Sequence, residues 1–404
     1  MKLAENILNQ MNHLRKSHIQ FMLILFKAAL SLTGRINFLN LSRYSQLNEK
    51  TYSRNFRRYF NFIQFNSSLI ETVYHHQNEY LLALDASFIP KSGKATYGLG
   101  TFWNGVQHRP GRGLEISSLA LVDVTYKTAY TLTAGQVPPV QRSSEENTLD
   151  FFLGQLRTLQ QVKTPIALPK LLAVDGFYTK KRFIDSSLDA GYQIVGKLRK
   201  DANLRYLYKA PHYHKRKRGR PKLYTVKLII NSPEVSKFQH QKIDKNISLS
   251  SSIVYSIALK RKIQVVFVYF LDEKGKKSFL LLFSTDLSMD AQRVYRYYTA
   301  RFQIEFTYRD AKQYLGLTHS QARCQQSLNF HFNLSLSLLN LVRIEHRLKN
   351  PSSKNEGFSM ASYKRSYANE MMLNVFLSKL ELDPNSKKIQ TIYQELRNLG
   401  VIAA

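Results

Sequence analysis

Apolar residues recur at helical spacing through positions 1–75, and from about residue 79 the pattern shortens to strand-like runs. The first is a short apolar run bounded by Pro90 and carrying one acid, Asp85. A Gly-rich connection over 93–113 follows, and then runs at 114–123 and 129–134, so three neighbouring antiparallel strands are expected. A helix over 145–162, an apolar strand that ends in Asp175 and Gly176, a helix over 179–190 and a strand over 192–196 come next. Strand-like runs at 224–230, 252–259, 263–271 and 278–284 fill the stretch 198–284, and 331–348 reads as an apolar helix. Residues 351–356 read as a linker and the remainder as helix without motif.

Between the run at 278–284 and the helix at 331–348 lies the most informative segment. Tyr298, Arg301, Glu305 and Lys312 stand at offsets 0, 3, 7 and 14. At roughly 100° per residue, one helix would project all four within about 60° of one another. The plain alternative is a solvated helix in which Arg301 and Glu305 form an (i, i+4) pair. Two upstream acids speak for chemistry instead, because a carboxylate in or at the end of an apolar strand is expensive to bury unless something compensates it. Asp85 and Asp175 are both so placed, and metal binding would remove the cost.

The spacing Tyr, two residues, Arg, three residues, Glu, six residues, Lys resembles the signature of the insertion-sequence DDE transposases. All four positions match, and the resemblance extends over the Asp85 and Asp175 strands and the long interval before Glu305. It implies an α/β fold: an RNase H-like catalytic core over 79–197 and 285–348, a β-rich insertion over 198–284, a helical DNA-binding region over 1–75 and a helical tail over 349–404. It implies Asp85, Asp175 and Glu305 as catalytic metal ligands, Asp85 bridging. Two Mg2+ ions, with Mn2+ able to substitute, would activate water and stabilise the leaving oxygen. Tyr298, Arg301 and Lys312 would hold DNA phosphates near the scissile bond. The activity implied is nicking at element ends and strand transfer into target DNA, by a homodimer that brings two ends together. Relatives that form a hairpin stack a flipped base on a tryptophan of the insertion, but the only tryptophan here, Trp103, lies outside it.

Charge agrees with that partner. Fifty-nine Lys and Arg against 28 Asp and Glu give a net charge of +31, which points to a polyanion and to double-stranded DNA first. The single Cys324 excludes an intramolecular disulfide framework and a Cys-based zinc site. The apolar run 19–32 is interrupted by Lys27 and too short for a membrane span, so a buried helix is expected. A cytoplasmic, nucleoid-associated protein follows from these features.

Two basic segments stand out. Residues 37–59 outline two helices joined by a turn, the second bearing Arg54, Arg57 and Arg58, which is compatible with a helix-turn-helix or with a plain bundle. Lys215, Arg216, Lys217, Arg218, Gly219, Arg220 and Pro221 resemble an AT-hook, whose arginines enter a narrow A·T minor groove; the alternative is a basic loop on phosphates. The Gly98 to Gly100 segment lacks a following helix start and reads as a loop or hairpin turn rather than a phosphate cradle. Asp123 and Asp185 read as turn or surface acids, Asp310 as a surface or ion-pair residue. Two other functions share these features: a nuclease that moves no element, and a catalytically inactive DNA-binding protein.

Overall fold

The computed structural model describes residues 1–139, 145–208, 222–231, 233, 235–272, 275–351 and 358–402. The chain divides into two units. One comprises Met1–Glu79, Ala86–Ala167 and Gln303–Ala404, the other Tyr80–Asp85 and Leu168–Phe302.

The first unit opens with five helices, α1 Lys2–Gln10, α2 Lys16–Ser31, α3 Phe38–Arg43, α4 Glu49–Asn55 and α5 Phe62–Glu71. Helix α2 is the apolar run read as a buried helix, and Phe21, Leu25 and Phe26 are among its buried residues. Asparagines start the next three helices: Asn37, Asn48 and Asn61 each accept a backbone N–H three residues on, filling donors the first turn leaves open. Helix α4 ends at Asn55, earlier than the sequence pattern indicates, because Phe56 turns inward onto Phe38 and Phe330, with ring centroids at 4.9 and 4.5 Å.

Strand β1 (Tyr80–Pro90) contributes its second half to this unit. Strand β3 (Arg109–Asp123) pairs in succession with β2 (Gly100–Asn104) and β4 (Thr128–Val137), both antiparallel. Strand β2 is absent from the expected order, because its five residues lie within the Gly-rich connection and show no apolar alternation beyond buried Phe102. Helix α6 (Glu145–Gln161) is tied to β3 by Gln155, which accepts from the Ser117 hydroxyl at 2.7 Å and donates to the Ser117 carbonyl at 3.1 Å.

The unit is completed by α9 (Gln303–Tyr314), α10 (Gln325–Lys349), α11 (Met360–Lys379) and α12 (Lys387–Arg397). Helix α10 lies along the edge of β4 and satisfies its backbone with side chains. Asn340 accepts from Thr131 N at 3.0 Å and donates to Thr131 O at 2.7 Å. Asn333 does the same at Ala134, at 2.8 and 2.7 Å, and Asn329 accepts from Gln136 N at 3.0 Å. Arg343 donates to Ala129 O at 3.0 Å, and Asn66 of α5 donates to Leu132 O at 3.1 Å. The amides substitute for a neighbouring strand and close the edge.

The second unit is a sheet. The first half of β1 pairs parallel with β5 (Leu171–Val174), and β5 pairs parallel with β6 (Gln193–Lys197). Beyond β6 the pairing becomes antiparallel: β12 (Lys277–Ser284), β11 (Arg261–Leu271), β10 (Ile247–Ser256), β7 (Leu204–Leu207) and β8 (Tyr224–Lys227) follow in that spatial order, with β9 (Gln239–Lys242) also on β10. The residues expected to form an insertion therefore continue the sheet from β6. Strand β7 is only four residues long and β9 carries no apolar position, so neither stands out. Strand β10 ends at Ser256 because Lys260, at φ 51°, belongs to the turn into β11. Helices α7 (Lys181–Asp189) and α8 (Ala291–Ala300) pack on this sheet.

Candidate active site

The apolar residues Leu81 to Leu84 of β1 and Leu172 to Val174 of β5 are fully buried, which fixes their register. Leu84 stands opposite Val174 in the parallel ladder, so Asp85 and Asp175 are the next residues on neighbouring strands. Both emerge half-buried from the apolar ends. Asp175 also starts a single 3-10 turn, Gly176–Tyr178, without committing its side chain as a cap. Two strands thus deliver two carboxylates side by side, a juxtaposition invisible in a sequence interval of 90 positions.

Arg301 reaches the same place. Its Nη1 donates to Asp85 Oδ2 at 3.3 Å, and its guanidinium lies over Phe302 at 4.7 Å and Tyr298 at 5.5 Å. Tyr298 and Arg301 are each 3 % exposed. The continuous helical face expected from Tyr298 to Lys312 is not formed. Helix α8 stops at Ala300, Phe302 N turns back to Thr299 O with an i−3 bond, and α9 restarts at Gln303. The four residues therefore do not belong to one uninterrupted helix.

Helix α9 is anchored by its inward residues. Tyr308 accepts from the Ser118 hydroxyl at 2.8 Å, Thr307 accepts from Arg343 at 2.9 Å, and Asp310 pairs with Arg343 at 2.9 Å. Glu305 is left on the exposed side. Lys312 is half-buried and donates from Nζ to Phe88 O at 2.9 Å; burial lowers its pKa from the ordinary lysine value.

The competing acids have structural partners. Asp123 accepts from Tyr126 N at 3.0 Å, as a turn acid does, but it is also wholly buried and pairs with Arg347 at 3.0 Å. Asp185 pairs with Lys181 and Arg261. Asp310 is an ion-pair residue, and buried. Arg54, Arg57 and Arg58 are exposed, with Arg57 and Arg58 in the turn after α4 rather than on it. Lys215, Arg216, Lys217, Arg218 and Arg220 lie outside the described residues. No described helix is long and apolar enough to cross a membrane.

Among the described residues no group of three or more His, Cys, Asp or Glu side chains is gathered as a metal cage. The pair at Asp85 and Asp175 fits a hard divalent ion nonetheless, since such an ion takes one or two carboxylates and fills its remaining positions with water and substrate phosphate.

A family model described as DDE superfamily endonuclease matches residues 7–248, more than half of the chain. The chain belongs to this family. The matched span includes both strand-end acids, Asp85 and Asp175, and ends before Glu305. No curated protein matches the chain.

Proposed function

We propose that this DDE endonuclease is the transposase of an insertion sequence, cutting DNA at element ends and joining the freed 3′-hydroxyl to target DNA. The observation that carries the chemistry is the register of β1 and β5, which sets Asp85 beside Asp175. Two carboxylates at that position have a use in holding divalent metal, with Mg2+ the ion expected. Bound there, the metal would supply a water activated for attack and a counter-charge for the leaving oxygen.

Asp85 and, on its neighbour strand, Asp175 would hold the metal in this reading, with Glu305 as the third carboxylate, assigned by the transposase-like spacing alone. Arg301 acts through Asp85, holding the carboxylate's orientation, and Tyr298 supports Arg301. Lys312 is the donor to the phosphate beside the cleaved bond. A homodimer belongs to the reading because two ends must be joined. Exposed Met372, Val375 and Phe376 on α11 with Ile392 and Leu396 on α12 offer apolar surface of the kind protein contacts use.

The test separates binding from chemistry. Asp85→Asn, Asp175→Asn and Glu305→Gln each remove a carboxylate charge while leaving every Lys and Arg in place, and Asp85→Asn also removes the counter-charge 3.3 Å from Arg301. Each is expected to abolish Mg2+-dependent cleavage of end DNA, while the dissociation constant for that DNA stays within about threefold. A variant that cuts at wild-type rate removes its residue from the site, and a wild type that nicks no DNA in Mg2+ or Mn2+ overturns the reading.

A further inference from the structure

An open cleft lies in the first unit, between Phe88 and the β2–β3 hairpin. It encloses about 320 Å³ and is lined by Phe88, Asn104, Gln107, Arg109, Gly111 and Arg112, with Pro90 and Pro110 at its margins. Its aromatic wall is set by glycines. A Cβ at Gly113 would stand 2.3 Å from Ile89 O and 2.7 Å from the Phe88 ring, and one at Gly111 would stand 3.1 Å from that ring. Phe88 therefore lies against bare backbone on one side, is half-buried, and turns its remaining surface to the cleft.

Its electrostatics have one sign. No Asp or Glu occurs between Asp85 and Glu115, whereas Lys91, Lys94, Arg109 and Arg112 all do. Arg109 donates to Gln107 Oε1 at 3.3 Å and Arg112 to Gly93 O at 3.1 Å, which holds both guanidinium groups at the rim. The hairpin also exposes Trp103, at 59 %. Arginines beside exposed rings are what single-stranded nucleic acid uses: cations follow its phosphates and rings stack its bases.

We infer that this cleft takes one unpaired nucleotide of a DNA strand, with its phosphate on Arg109 and Arg112, its base against Phe88 and its base edge within reach of the Asn104 and Gln107 amides. The site rests on reading the chain as a DNA-cleaving enzyme, and it adds a contact for unpaired DNA on β1 itself, three residues beyond Asp85. An enzyme that works at DNA ends meets unpaired nucleotides there, and their rings are free to stack.

The experiment uses the full chain without metal and two probes, a fluorescently labelled single-stranded 20-mer and the duplex of the same sequence. The Arg109→Ala/Arg112→Ala double variant is expected to bind the single strand about tenfold more weakly and the duplex within about twofold of wild type. Its single-strand salt slope should fall by about 0.7, the share of one neutralised phosphate. Phe88→Leu keeps an apolar side chain against Gly113 and should abolish the quenching of a 2-aminopurine placed in the single strand. Equal losses on both probes, or none on either, overturn the inference. If the wild type cuts plasmid in Mg2+ while these variants bind as it does, the nuclease reading stands and the cleft falls. If the wild type binds neither probe, both fall together.

Discussion

Arg301 Nη1 stands 3.3 Å from Asp85 Oδ2, with the guanidinium 4 % exposed and the carboxylate 18 %. The arginine packs against the Tyr298 and Phe302 rings, which would let it restrict the carboxylate's orientation as well as offset its charge. With Asp85 as the proposed metal ligand, those two effects would oppose each other: the charge would discourage the metal and the geometry would prepare its ligand.

Arg301→Gln should therefore separate them. Mn2+ should bind the free protein several-fold more tightly, because a positive charge beside Asp85 has gone. Cleavage at saturating metal and DNA should fall on the order of 100-fold, as misplacing a reacting group by about 1 Å can do. Mn2+ titration followed by electron paramagnetic resonance, beside single-turnover nicking rates, checks both; weaker Mn2+ binding with an unchanged rate contradicts the assignment.

Asp123 and Arg347 form a buried pair at 3.0 Å, with the Arg347 guanidinium 3.6 Å from the Tyr126 ring centroid and also donating to the Tyr130 hydroxyl. Asp123→Asn leaves that guanidinium without its counter-charge and should cost roughly 3–5 kcal/mol. Asp123→Leu combined with Arg347→Met should recover most of the loss. Urea unfolding of the three proteins decides it, and a harmless single substitution would show that the pair carries no structural weight.

His331 is 3 % exposed, its Nε2 lies 2.8 Å from Gly316 O, and burial pulls its pKa down to about 4, with nearby His319 and Lys91 acting in the same direction. A histidine lowered in the folded state binds fewer protons there than when unfolded. Its contribution is thus complete above about pH 6.5 and is lost as pH falls from 6.5 towards 4, up to roughly 3 kcal/mol. The melting temperature should drop over that window, and His331→Gln should flatten the drop. An identical pH profile in the variant would assign the acid sensitivity to other groups.

Arg218 and Arg220 allow a test by charge-preserving exchange. Replacing both by Lys leaves a merely basic loop binding as before, with the same salt slope. A groove-inserted hook would lose its preference for A·T-rich over G·C-rich duplex, because a hydrated ammonium enters a narrow groove less readily than a guanidinium. Binding of wild type and variant to both duplexes is the measurement; a wild type without A·T preference leaves only the loop.

Apart from β2, the element order from β1 to β6 was legible because apolar runs ending in acids and glycines mark buried strands, and Asp85 and Asp175 stand out as acids that such runs would not otherwise tolerate. Their adjacency was not legible, since it depends on strand register. The break at Arg301 and Phe302 was hidden because both residues keep a helix-compatible composition, and only the pull of Asp85 and the i−3 bond distinguish the turn. Asn329, Asn333, Asn340 and Arg343 did leave a trace: polar residues at helical spacing within an apolar helix that is buried almost all round. Such residues need partners, and here the partners are strand backbone.

That arrangement bears on how the chain is made. Apart from Leu132, which Asn66 of α5 reaches, the outer edge of β4 stays uncovered until α10 arrives, and the α10 contacts join residues 193 to 214 positions apart. At ribosomal speeds of about 5–20 residues per second, a nascent chain carries an uncovered strand for roughly 10–40 s. Any product that stops short of α10 carries it permanently, open to pairing with the next chain.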